Sequence, residues 1–118
     1  IFYRVFIIMG RPKKTVQIEV NRQFLNWCST NGLMVKKNQE VFFVNERLLM
    51  KPEYIINDSV FVDIIPTGQF DGSQLINYQL FANSFGTLII IKEEDAAHLN
   101  TISRRELEKR HNFSFNAQ

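Results

Sequence analysis

Apolar and polar positions along this chain fall into short blocks. Residues 2–9 (FYRVFIIM) are β-branched and aromatic and stop at Gly10, which predicts a strand. GRPKK (10–14) is a basic turn with Pro12 in a permitted place. In TVQIEV (15–20), Val16, Ile18 and Val20 share one face and Gln17 and Glu19 the other, the alternation of a half-buried strand. On this pattern the two strands pair as a hairpin. NRQFLNWCSTN (21–31) has the spacing of a short helix. Phe24, Leu25 and Cys28 share a face, Asn21 is placed to cap the start, and Gly32 to end it. Residues 33–40 read as a further helical turn or a loop. VFFV (41–44) is a strand, followed by a turn at Asn45-Glu46 and the apolar pair Leu48-Leu49.

Farther along, SVFVDII (59–65) is a strand that Pro66 ends. PTGQFDGSQ (66–74) is a loop by composition and marks a boundary. LINYQLFA (75–82) and, after Gly86, TLIIIK (87–92) read as strands. EEDAAHLN (93–100) is an acidic connector. Ser103 and Glu106 form a capping box for a terminal helix over RRELEKRH (104–111). The fold expected is α+β: a small domain with helices packed on a short antiparallel sheet, then a C-terminal strand pair and a short helix. It divides into an N-terminal strand and basic turn (1–14), a main domain (15–66) and an extension (67–118).

Composition narrows the function classes. A length of 118 residues fits one domain, or a small domain with an extension. Apolar content of 45% beside 22% charged residues is that of a globular chain, and eleven Phe imply an aromatic core or interface. The single cysteine, Cys28, excludes an internal disulfide framework and any Cys-based zinc site. His98 and His111 are too isolated for a metal cluster. No apolar run approaches the ~20 residues of a membrane span. IFYRVFII contains Arg4 and is too short for a secretory signal with its flanks. There is no Gly-rich phosphate loop and no nucleophile-elbow serine. Cys28 fits a small buried residue beside Phe24, His98 a local hydrogen-bonding role, and Glu93, Glu94 and Asp95 a solvated acidic turn. No enzyme activity, cofactor, metal or small-molecule substrate is expected.

Charge points to binding. The net charge is only +2, but residues 1–51 hold nine basic and three acidic side chains, and residues 52–103 one basic and seven acidic. The basic half suggests a polyanion partner. The candidate contacts are Arg11, Lys13, Lys14, Arg22, Lys36, Lys37, Arg47 and Lys51, several of them clustered at turns. Turn-borne cations reach phosphates without burying charge, and each phosphate neutralised on a duplex steepens the salt dependence of binding by about 0.9 in log–log slope. Trp27 is assigned to the core in preference to base stacking.

The segment FVNERLLMKPEYIINDSVFVDI (43–64) resembles the C-terminal half of the RNA-binding domain found in small-subunit ribosomal protein four and in several RNA-modifying proteins. Val44-Asn45 matches the end of that domain's strand, and Arg47 stands in its basic region. Pro52-Glu53-Tyr54 matches Pro-x-Tyr, Ile55-Ile56 the apolar pair, Asn57-Asp58-Ser59 the turn, and Val60 to Ile64 the last strand. Glu46 replaces a glycine. INYQLF, TLIIIK and AAHLN resemble the C-terminal strand segment of organellar versions. The resemblance implies that residues 15–66 are an RNA-binding domain whose helix pair lies against RNA. It implies a structural constituent of a mitochondrial small ribosomal subunit, in the matrix, with ribosomal RNA and neighbouring ribosomal proteins as partners and no membrane. The cations above would neutralise phosphates, and the acidic segment would meet basic protein neighbours. The competing expectation is a ubiquitin-like β-grasp interaction module, non-catalytic. Residues 15–40 discriminate: two helices side by side favour the ribosomal domain, a hairpin with one helix across its sheet favours β-grasp.

Overall fold

The computed structural model describes residues 5–8, 17–45, 48–66, 68 and 72–116. Its first strand is β1, Val5–Ile8. Helix α1 runs Gln17–Thr30 and buries Val20, Phe24, Trp27 and Cys28, an i, i+4, i+7, i+8 stripe. Residues 17–20 are therefore the first turn of a helix, not part of a strand; residues 15 and 16 lie outside the described residues. Asn21 falls inside the helix instead of capping it, and Leu25 is 39% exposed, off the apolar stripe. Six alternating residues satisfy a period of two by themselves. Across fourteen, Val20 continues the stripe of Phe24 and Trp27, and the helical period wins.

Gly32 ends α1 as its spacing predicts. With φ at 66°, it lets the Gly32 N–H donate to the Ser29 carbonyl (3.2 Å) and the Leu33 N–H to that of Cys28 (2.9 Å), a Schellman closure with Leu33 buried against the helix end. Strand β2, Val35–Lys37, follows where a helical turn or loop was expected. Strand β3 (Phe42–Asn45) lies where VFFV predicted a strand, and it pairs antiparallel with β4 (Leu48–Met50), which holds the apolar pair Leu48-Leu49. Strand β5 (Tyr54–Ile56) turns through Asn57 and Asp58, both at positive φ, into β6 (Val60–Ile65). Asn and Asp tolerate that backbone better than other side-chain-bearing residues.

Residues 75–82 are not a strand. They belong to helix α2, Ser73–Phe85, whose buried Tyr78, Phe81 and Ala82 follow the helical period. The β-branched and aromatic composition of this stretch fits either structure, and only the longer window separates them. Strand β7 (Leu88–Lys92) comes next, then a 3₁₀ helix (Glu93–Thr101) in place of an irregular connector. Last is α3 (Arg104–His111), capped as expected by Ser103 Oγ accepting the Glu106 N–H at 3.2 Å.

The fold is α+β. Its main sheet has the order β1-β7-β6-β5-β2 and is mixed: β1, β7 and β6 run parallel, while β5 is antiparallel to both β6 and β2. The expected hairpin partner of β1 is not formed by residues 17–20, which are helical, and β1 pairs with β7. The expected strand pair after residue 66 reduces to β7, which lies between β6 and β1. Helix α2 makes the crossover that a parallel β6–β7 pair requires. The run LIIIK suits that place: Leu88 to Ile91 are all buried, as a parallel strand covered on both faces demands.

Alternation along β6 sorts the cores. Val60, Val62 and Ile64 face α1, joining Tyr54, Ile56, Ile89 and Ile91, with Leu99, Ile102, Leu107 and Phe115 closing that side. Phe61 and Ile65 face α2 and the hairpin, meeting Phe42, Met50, Tyr78 and Phe81. Part of the heavy use of Phe is spent here. Phe81 sits 5.2 Å from Phe42 and 5.1 Å from Phe61, both edge-on.

Candidate nucleic-acid interface

Of the eight cations assigned to binding, Arg11, Lys13, Lys14 and Arg47 lie outside the described residues. Arg22 is exposed on α1. Lys36 and Lys37 are exposed on β2, the outer strand of the sheet, and Lys51 is exposed between β4 and β5. The end of β2 lies beside the segment that carries Lys51. Buried Asn38, just after β2, donates through Nδ2 to the carbonyls of Glu40 and Pro52 (both 2.8 Å), and its N–H reaches the Glu53 carbonyl at 2.9 Å. This amide ties the end of β2 to the chain beside Lys51. At the other end of the strand, Asn57 exchanges hydrogen bonds with Met34, its N–H donating to the Met34 carbonyl at 2.7 Å and its Oδ1 accepting the Met34 N–H at 2.9 Å.

The two β2 lysines point to opposite faces, since Lys37 is registered with Tyr54 and Lys36 with Ile55. Both have carboxylate neighbours: Lys36 Nζ is 3.3 Å from Asp58 and Lys37 Nζ 3.4 Å from Glu53, with Lys37 also 5.4 Å above the Tyr54 ring. Ion pairs this exposed contribute about 0–1 kcal/mol, so a phosphate exchanges with them at little cost. Lysines on a short edge strand also discourage edge-to-edge strand pairing, a structural role independent of any ligand.

Other candidates resolve into structure. The Cys28 thiol is fully buried and pushed up to about 12 by desolvation, which removes the thiolate a nucleophile needs. Trp27 is in the core, its indole N–H donating to the Ile102 carbonyl at 2.8 Å. His98 makes the local contact expected of it, with Nδ1 3.3 Å from Thr101 Oγ1. Glu93, expected in a solvated turn, is buried at the start of the 3₁₀ helix.

Sequence reasoning passed over Asp63. It is the one charged residue within VFVDII, on the inward face beside Phe61 and Ile65. Its carboxyl is pushed up to about 6, first by burial and then by the charge of Glu53, against backbone hydrogen bonds at Glu53 and Ile64 that favour the anion. Tyr78 is pushed up to about 12 by burial and by Asp63. The signal was present as an acid on the apolar face of an alternating strand. Among the described residues, no three His, Cys, Asp or Glu side chains converge as a metal shell would need, and no helix is long and apolar enough to cross a membrane. Comparison with protein-family models, curated proteins and solved structures finds no match to this chain.

Proposed function

We propose that this chain is a non-catalytic RNA-binding protein, acting as a structural constituent of a mitochondrial-type small ribosomal subunit. The observation that supports RNA contact is the exposure of Lys36, Lys37 and Lys51 around one edge of the sheet, beside the Pro52–Ile64 segment that carries the family resemblance. Pro52 and Tyr54 are buried there and seat the segment on the core. Residues 17–37 make one helix and one strand, so the helix pair that the resemblance implied does not form there, and the contact is assigned to the β2 edge instead. The β-grasp alternative rested on a hairpin reaching through residue 20, and residues 17–20 are helical. Recognition of this kind works through phosphate neutralisation and helix shape, with little reading of base edges.

The test is binding to a structured RNA across a salt series, together with sedimentation against mitochondrial ribosomal particles. The wild-type chain should bind more weakly as salt rises and should travel with the small particle. K36Q/K37Q/K51Q should flatten the salt slope by up to about 2.7, at about 0.9 for each duplex phosphate no longer neutralised. Salt-independent binding refutes RNA contact. Salt-dependent binding without co-sedimentation refutes the ribosomal assignment alone.

A further inference from the structure

Helix α3 holds a second set of cations, outside the basic first half of the chain. Arg104, Arg105, Lys109 and Arg110 share the helix with Glu106 and Glu108. Arg104 is built into the C-terminal structure: it lies 3.6 Å from Glu108, donates to Asn116 Oδ1 at 2.8 Å and sits 5.9 Å over the Phe115 ring. Arg110 pairs with Glu106 at 2.9 Å. His111 has its proton affinity lowered by burial and by Arg110. Arg105 and Lys109 remain. Both are exposed, and among the described residues neither side chain has a hydrogen bond or ion pair. They stand four residues apart, about 6 Å along the helix axis.

These two cations flank an open hollow of about 620 Å³, lined also by Glu108, Asn112, Phe113 and Ser114. The Glu108 carboxylate is already engaged, one oxygen facing Arg104 and the other accepting the Phe115 N–H at 2.9 Å. The platform is firm. Leu107 and Phe115 are buried, and the Arg104 N–H donates to Asn31 Oδ1 at 2.9 Å, tying α3 to the end of α1. The cations are therefore presented by a fixed helix, so binding has only their two side chains to order.

We infer that the Arg105–Lys109 face of α3 is a second phosphate-contact surface, which takes the sugar–phosphate backbone of RNA. The inference rests on the RNA-binding reading and adds a surface separate from the β2 edge. An acidic protein is the other source of negative charge, but protein interfaces depend on apolar anchors seated in desolvated pockets. This hollow is open to solvent and offers no desolvated pocket, and the Asn112 amide and the Ser114 hydroxyl line it beside the cations, the equipment of a backbone contact.

The experiment is fluorescence anisotropy with a labelled RNA stem-loop, from about 50 to 200 mM salt. It compares wild type, R105Q/K109Q, the charge-keeping R105K/K109R, and K36Q/K37Q/K51Q. The surface predicts that R105Q/K109Q lowers the log–log slope by about 1.8, two phosphates at about 0.9 each. R105K/K109R should keep the wild-type slope, and unchanged circular dichroism in both variants excludes loss of α3. A wild-type slope in R105Q/K109Q alongside a lowered slope in K36Q/K37Q/K51Q overturns the α3 surface and leaves RNA binding standing. No salt-dependent binding by wild type overturns both. If R105Q/K109Q loses affinity for poly-glutamate while its RNA affinity is unchanged, the surface belongs to an acidic protein and the inference fails.

Discussion

Replacing Asp63 by Asn should make the protein more stable at neutral pH and leave it nearly unchanged in acid. The carboxyl lies on the α2 face of β6, where burial and the charge of Glu53 raise it from 3.8 to about 6. Between those values the folded chain holds a proton that the unfolded chain has lost. Stability then falls as pH rises, because the native state binds more protons than the unfolded one. The group's contribution is full below about pH 4, declines through about pH 4–6, and levels off above. A shift of about two units corresponds to about 3 kcal/mol.

Other groups titrate in the same range, among them the lowered His111, so the informative quantity is the difference between wild type and D63N. The amide is neutral at every pH and keeps one acceptor for the backbone donors, as the protonated carboxyl does. At about pH 4 the two chains should be nearly equal. By about pH 7.5 the variant should lead by about 3 kcal/mol. Urea unfolding at four pH values measures this directly. Trp27 is the only tryptophan and is buried between α1 and Ile102, so its fluorescence reports global unfolding. A difference that stays flat from about pH 4 to 7.5, or that favours wild type at neutral pH, refutes the claim that a partly desolvated charge is being carried there.

Three further outcomes follow from the described contacts. Trp27→Phe leaves the Ile102 carbonyl without its buried donor and should cost about 1–3 kcal/mol by urea unfolding followed by circular dichroism. Ser103→Ala removes the acceptor for the Glu106 N–H and should cost about 1 kcal/mol in the same assay, with the loss concentrated in hydrogen-exchange protection of α3. Cys28 should resist a thiol-reactive disulfide reagent at about pH 8 in the native chain and react at once in denaturant, since its thiol is buried and pushed up to about 12.

What could be read from the sequence depended on how far along the chain the deciding contacts lie. Ser103 and Glu106, the Gly32 stop, the strand at VFFV and the strand ending at Pro66 are settled within a few residues, and they appear where the pattern places them. Residues 17–20 and 75–82 fold against their expected pattern because a short alternating or aromatic run satisfies two periods. Burial of Val20 against the sheet and of Tyr78 and Phe81 in the aromatic cluster decides them. The run of β7 announced burial on both faces, but its parallel neighbours β6 and β1 were a tertiary choice. The candidate site divides the same way. Cation types and exposure were legible at Lys36, Lys37 and Lys51. Their carboxylate neighbours Asp58 and Glu53 were not, because those contacts exist only through the β2–β5 register.

That register also changes what the uneven charge means. In sequence, the acidic segment 52–103 looked like a surface held apart for basic protein neighbours. In the fold, Asp58 and Glu53 lie against Lys36 and Lys37, Asp63 sits inward on β6, and Glu93 is buried. Much of the segment's negative charge therefore acts within the domain, part of it against the basic half itself. Positive charge follows the opposite course: residues 104–118 carry a net charge of only +2, yet Arg105 and Lys109 stand there without a carboxylate partner among the described residues. A polyanion responds to cations that are exposed and uncompensated, not to segment totals. By that measure the contact proposed on α3 stands beside the one proposed at the β2 edge, although its segment holds the smaller excess of charge.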